Sequence, residues 1–206
     1  MVHYKLTYFD MRGRGEYIRY IFWLANVPFE DHRIRISDWV EYRKQTLFGT
    51  LPELEVDGKK LSQSTAIGGF LGREFGLAGK SSFEAAQCDM IANQMNEFIL
   101  SLFPYVFHHF LHGDEERARD EWRRFEDKWE HHKALFTRLL KQNGGRWFVG
   151  DSVTYVDLFV AEVHQRILQE ISVTALADCP TLRDHVSRVH DLPNIRKRLT
   201  KRKTSW

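Results

Sequence analysis

A chain of 206 residues with 30 Lys and Arg against 28 Asp and Glu carries a formal charge of only +2, so no overall field calls for a nucleic-acid or membrane partner. The length suits one large domain or two small ones. No apolar run reaches the roughly 18 residues of a membrane span, and the opening MVHYKLTYF alternates like a strand without a signal-peptide core. Cys88 and Cys179 are far apart and form no CxxC pair, which points to reduced thiols and a cytoplasmic setting.

In chain order, Val2, Tyr4, Leu6 and Tyr8 alternate with polar or outward residues and predict a first strand. From about Gly15 the period becomes helical, with Ile18, Ile21, Phe22 and Ala25 on one face. Arg33 to Ile36 reads as a second strand, and Ser37 to Thr46 as a loop or irregular helix. Glu53 to Val56 and Lys59 to Ser62 are strands about Asp57-Gly58, a strong two-residue hairpin signal because both turn positions need positive φ. Gln63-Ser64 opens the helical run TAIGGFLGREF, with Ser64 expected to cap its free amides. Strand, helix, strand implies a right-handed parallel crossover, and the hairpin adds an antiparallel edge. That order is a thioredoxin-like half.

After Gly79-Lys80-Ser81-Ser82 the strand signal disappears. Phe83 to about Leu111 is helical, with Pro104 expected to bend or interrupt it. Glu115 to Gln142 is a long amphipathic helix, since Trp122, Phe125, Trp129, Phe136 and Leu140 recur every three to four residues or a multiple, and Asn143-Gly144-Gly145 ends it. Thr154 with Asp157 resembles a capping box opening another helix. The fold class is therefore α/β plus all-α, with units at 1–78 and 83–206. The basic tail from Arg196 to Lys203 reads as a solvated helix face.

Tyr8 closes the first strand just before the Gly13-Arg14-Gly15 turn, and ligands of open α/β sheets gather at the carboxyl ends of strands. A capped helix start such as Gln63-Ser64 attracts carboxylate or phosphate. Each feature alone is as readily structural. Together, Tyr8 with MRGRGEYIRYIF, Trp39, FGTLPELEVDG, Gln63-Ser64 and VGDSVTYVD resemble the cytosolic glutathione transferases of the sigma class. The flavour is nematode-like, and the first part is also similar to the glutathione-dependent haematopoietic prostaglandin D synthases.

The resemblance implies a homodimer with glutathione as co-substrate and hydrophobic electrophiles or lipids as second substrates. Tyr8 would hydrogen-bond the glutathione sulfur, with Arg14 polarising phenol or thiolate. A thiol of pKa about 8.5 gains roughly two units of acidity if its anion is stabilised by about 2.7 kcal/mol, and one charge-assisted hydrogen bond contributes about 1.5–3. Gln63 and Ser64 would take the γ-glutamyl carboxylate, and Leu51, before a Pro52 the family keeps cis, would pair its backbone with the cysteinyl part. Trp39 and Arg43 would hold the glycine end, and Glu97 would reach the partner subunit's glutathione. Phe9, Met11, Asn96, Ile99, Leu100, Phe159, Val163 and Trp206 would line or border the second-substrate pocket. Tyr105 lies near the position of a Trp in the prostaglandin synthases, and Asn96 replaces an Asp there. Phe48 is a candidate anchor at the dimer interface.

Rival readings are glutathione-dependent isomerisation of a prostaglandin endoperoxide, non-catalytic binding of haem or other hydrophobic ligands, and a lens-type structural protein. The retained Tyr8, Arg14, Gln63 and Ser64 argue against the last. His108, His109 and His112 share helical spacing, but no second ligand pair completes a set, so no metal site is expected. Gly68, Gly69 and Gly72 fall inside a helix, where packing against the sheet accounts for them better than a nucleotide loop.

Overall fold

A computed structural model describes residues 2–200 and 202, apart from the side chains of residues 110 and 111. The first layer is a four-stranded sheet of β1 (Tyr4–Phe9), β2 (Glu30–Ile34), β3 (Glu53–Val56) and β4 (Lys59–Ser62) in the order β2-β1-β3-β4. β1 pairs parallel with β2 and antiparallel with β3, and β3 pairs antiparallel with β4. This is the thioredoxin-like arrangement. Asp57 and Gly58 take the hairpin turn with φ of 47° and 82°, the left-handed conformations that Asp and Gly tolerate. β2 begins and ends earlier than expected: Glu30 to Ile34 pairs with β1, while Arg35 and Ile36 already lead into a 3-10 turn.

Helix α1 (Glu16–Ala25) follows β1, α2 (Trp39–Tyr42) is a single turn between 3-10 segments, and α3 (Ser64–Glu74) follows the hairpin. Ser64 is the first helical residue rather than the cap. Gln63 precedes it with φ of 73° and ψ of 115°, and no side chain caps the helix start. Gly68 and Gly72 meet other helices, not the sheet. A Cβ at Gly68 would lie 2.8 Å from the Tyr17 hydroxyl of α1, and one at Gly72 would lie 2.5 Å from the Tyr155 ring.

The second part is all helical: α4 (Ser82–Val106), α5 (Glu115–Gln142), α6 (Tyr155–Glu170), α7 (Pro180–His190) and α8 (Pro193–Leu199). Among the described residues, no helix is long and apolar enough to cross a membrane. Pro104 does not interrupt α4. The helix runs through it to Val106 and then widens into a π-helical turn over Phe107–Leu111, because proline removes one i to i−4 bond and the register relaxes beyond it. Ser81 and Asp114 accept the backbone N–H of Glu84 and Arg117 and so cap α4 and α5. At α6 the Thr154–Asp157 capping box forms. The fully buried Asp157 accepts from Thr154 N and Oγ1 at 2.8 Å and from Phe148 N at 2.9 Å, and pairs with His185 at 2.9 Å.

The two parts share one core. Tyr17 of α1 stacks on Phe159 of α6 with ring centroids 4.0 Å apart, and Arg73 of α3 pairs with Asp89 of α4 at 3.1 Å. A buried histidine pair lies deeper in the helical part: His132 and His164 approach Nε2 to Nε2 at 2.8 Å. Burial holds His132 well below its ordinary value, with neighbouring His164 adding to the effect, and takes His164 down to about 3. Burial, aided by Arg202, likewise lowers His190 to about 4. All three are neutral when folded but protonate near 6.5 when unfolded. Their contribution is complete above pH 6.5 and is lost as pH falls toward 4 and 3, by about 1.4 kcal/mol per histidine per pH unit at most. Urea midpoints should therefore fall between pH 7 and pH 5, and replacing His132 and His164 together with Phe and Leu should flatten that slope.

Candidate active site

Between the sheet and the helical part lies a cleft of about 490 Å³, lined by Tyr8, Phe9, Met11, Gly13, Arg14, Ile36, Leu51, Ile99, Leu100, Leu102, Phe103, Val106 and Arg166. Tyr8 is the last but one residue of β1, on the same face as Leu6, and is 7% exposed. Its oxygen accepts the Arg14 backbone N–H at 3.0 Å. That bond uses an oxygen lone pair and leaves the phenolic hydrogen to donate into the cleft. An N–H donating to the oxygen also polarises the O–H, making it a stronger donor.

The turn that supplies this N–H is folded tightly over the ring. A Cβ at Gly13 would lie 2.4 Å from the Tyr8 hydroxyl, and one at Gly15 would lie 2.7 Å from Cγ of the ring. Gly13 also has φ of +41°. Arg12, between β1 and this turn, is 3% exposed and reaches α6: its Nε and Nη2 lie 3.2 Å from Glu162 Oε1, and its Nη1 donates to Gln169 at 2.9 Å. One turn along α1, Arg19 donates to Glu16 at 2.8 Å and to the Met11 carbonyl at 3.0 Å, and pairs with Asp31 of β2 at 3.0 Å. The turn is thus pinned on both sides by buried charge pairs.

Leu51 joins Pro52 through a cis peptide and borders the cleft. Buried Glu53 fixes the preceding loop, accepting the Leu47 N–H at 2.9 Å and pairing with Lys60 at 2.8 Å. Trp39 on α2 packs edge-on against Phe9 with centroids 5.2 Å apart, and Arg43 is exposed just beyond it. Gln63 is exposed and Ser64 buried at the uncapped start of α3, where the Tyr17 hydroxyl donates to the Ser64 carbonyl. Burial raises the Tyr17 pKa, so that hydroxyl stays protonated. Burial also pushes the Cys88 thiol up to about 12, which removes it as a competing nucleophile.

Four of the residues expected to line or border the pocket do so: Phe9, Met11, Ile99 and Leu100. Phe159 and Val163 do not. Each is 1% exposed in the core, Phe159 being held there by its stack on Tyr17. Asn96 is half-buried on α4 but is not part of the lining, because the cleft-facing residues of that helix begin at Ile99. Glu97 is exposed beside a separate hollow with His131 and Lys128. Trp206 lies outside the described residues. Tyr105 is 8% exposed and packs on Trp122 and His109 rather than in the cleft. Sequence reasoning missed Ile36, Leu102, Phe103, Val106 and Arg166. The spacing of Ile99, Phe103 and Val106 marks one helix face, whereas nothing local distinguishes Arg166.

A thioredoxin-like sheet followed by a helical bundle, with a tyrosine at the end of the first strand facing the interdomain cleft, defines the fold class. The chain matches the glutathione S-transferase N-terminal domain over residues 4–73 and the C-terminal domain over residues 101–202. It is 41% identical over 205 residues to glutathione S-transferase 1 of Ascaris suum, covering 98% of each chain. Its structure superimposes on monomeric Na-GST-3 of the hookworm Necator americanus with a TM-score of 0.92 at 37% identity, covering 98% of each. Rat hPGDS complexed with a quinoline gives 0.85 at 32% identity, again over 98% of each. The chain belongs to the glutathione S-transferase family, in its sigma/nu-like branch.

The close approach at Gly13 gives a direct test of the Tyr8 geometry. Gly13→Ala adds a methyl carbon against the hydroxyl at a positive φ and should displace the ring. A misplacement on the order of 1 Å costs about 10- to 100-fold in turnover. Conjugation kinetics alongside an unchanged far-ultraviolet spectrum check it.

Proposed function

We propose that this glutathione transferase activates its co-substrate through Tyr8, whose hydroxyl donates to the glutathione sulfur and holds it as thiolate. The observation that carries the reading is the Arg14 N–H on the Tyr8 oxygen at 3.0 Å, which occupies a lone pair and leaves the phenolic hydrogen free to be donated. Arg14 adds a positive charge at the same edge. The start of α3 bears unpaired N–H groups with no capping side chain, which suits the γ-glutamyl carboxylate at Gln63 and Ser64. Leu51, held by Pro52, offers its backbone to the cysteinyl unit, while Trp39 and Arg43 take the glycine end. Residues 1–78 then form the glutathione-binding unit, and residues 83–206 form the unit that presents hydrophobic electrophiles from Ile99, Leu100 and Phe103.

The reaction needs no further group. The thiolate attacks an electrophilic carbon, and an aryl halide loses halide as the S–C bond forms. Isomerisation of a prostaglandin endoperoxide has less support, because Tyr105 packs in the helical core. We assign a cytosolic homodimer, supported by free, buried Cys88 and Cys179 and by Phe48, which is 68% exposed on the loop before Leu51 and ready to enter a partner. Glu97 would reach across that interface. Phe48→Ser should shift the wild-type dimer to monomer in sedimentation.

Tyr8→Phe removes the donor and keeps the ring. One charge-assisted hydrogen bond is worth about 1.5–3 kcal/mol, so kcat for an aryl halide should fall about 10- to 100-fold with little change in the KM for glutathione. An unchanged kcat would contradict the assignment.

A further inference from the structure

A hollow of about 550 Å³ lies where the end of α1 turns into β2, beside α8, and shares no lining residue with the cleft. Its size falls in the range of small-molecule sites, about 300–1,000 Å³, and nothing in the activation of glutathione uses it. Three kinds of group meet there. Trp23, Val27 and Phe29, all half-buried, supply an apolar surface with two aromatic rings. Asn26 ends α1 at φ of 54°, a left-handed turn that Asn tolerates, and its side-chain amide makes no hydrogen bond with a described residue. Arg33, Arg198 and Arg202 bring three guanidinium groups against one carboxylate, Asp31.

That carboxylate is already held twice, by Arg19 Nε at 3.0 Å and by Arg33 Nε at 2.8 Å, and Arg33 is further engaged by Asp10 at 3.2 Å. Arg202 donates from Nη1 to the Tyr20 hydroxyl at 2.8 Å and lies 3.5 Å from Glu16, whose other oxygen takes Arg19 at 2.8 Å. Its other N–H groups make no hydrogen bond among the described residues. Arg198, exposed on α8, has neither a hydrogen bond nor an ion pair among them. Positive charge is therefore left over beside an aromatic surface. A simple anion would use the arginines and leave the rings idle, and a fatty acid would leave the amide idle. A nucleoside phosphate uses all three, since a base stacks on an aromatic ring, its edge pairs with an amide, and phosphate matches guanidinium.

We propose that this hollow is a second binding site, for a nucleoside monophosphate, separate from the glutathione cleft. The base lies against Trp23 with its edge toward Asn26, and the phosphate meets Arg198 and the open side of Arg202.

The test is titration calorimetry of the full chain with adenosine monophosphate, adenosine and inorganic phosphate, each with glutathione at saturation so that the anion-binding groups of the cleft are filled. Adenosine monophosphate should bind once per chain with a Kd below about 1 mM, and adenosine and phosphate alone at least about 10-fold more weakly. Arg198→Glu should weaken the nucleotide about 10-fold, the low end of one charge-assisted bond because the residue is exposed. Asn26→Gly keeps the left-handed turn and should weaken it about 2- to 10-fold, the range of one neutral hydrogen bond. Trp23→Leu should weaken it about 5- to 150-fold through lost stacking; the two exposed positions, Arg198 and Asn26, decide the matter if that variant does not fold. Nucleotide binding that vanishes when glutathione is present belongs to the cleft and overturns the inference. So does a nucleotide bound no better than phosphate or adenosine, or an affinity unchanged in both Arg198→Glu and Asn26→Gly. None of these results alters the transferase reading, which the conjugation kinetics test separately.

Discussion

Arg12 and Glu162 meet in the dry seam between the sheet and the helical part, 3% and 1% exposed, and the geometry of the site depends on that contact. A buried ion pair is a poor source of net stability, because desolvation of both charges offsets most of their attraction. Removing one partner is another matter, since it strands the other charge and costs about 3–5 kcal/mol. The pair therefore tolerates little displacement. It fixes the chain just before Gly13-Arg14-Gly15 against α6, and those three residues set both the position of the Tyr8 ring and the N–H on its oxygen. Arg19, tied to Glu16, Asp31 and the Met11 carbonyl, secures the same turn from the sheet side.

This placement divides the labour between the two parts of the molecule. In the proposed function the sheet and its turns offer a polar tripeptide backbone groups, a helix start and a phenol. The helical part contributes apolar side chains from α4 and one guanidinium from α6. The same α6 that brings Arg166 to the cleft also carries Glu162, so an element bordering the cleft also anchors the turn over Tyr8. Stacking of Tyr17 on Phe159 and the pairing of Arg73 on α3 with Asp89 on α4 keep the two parts in register.

Where local chemistry decides the conformation, the sequence was readable. Asp57-Gly58 needs positive φ at both positions and made its turn, and Thr154 with Asp157 formed its capping box. Ser64 was misplaced by one position because Gln63 adopts a positive φ, which a polar side chain in that sequence does not announce. Pro104 bent the register without ending its helix, since the backbone relaxed into a wider turn beyond it. The sheet edge near Tyr8 was legible through motif and spacing. The cleft wall was much less so: an apolar residue facing a cleft and one facing a core obey the same helical period. Phe159 and Val163 went to the core while Phe103 and Val106 went to the cleft. Arg166 was not legible as a cleft residue for a different reason, since whether a residue of α6 borders the cleft depends on which element faces it across the gap.

The central claim is that the Tyr8 hydroxyl, aimed by its turn, stabilises the glutathione thiolate. Ultraviolet titration of the thiolate in the binary complex with glutathione reads that quantity without any second substrate. The bound thiol in wild type should ionise roughly two pH units below the free value of about 8.5, and in Tyr8→Phe near the free value. A bound thiol that ionises equally early in both proteins would contradict it.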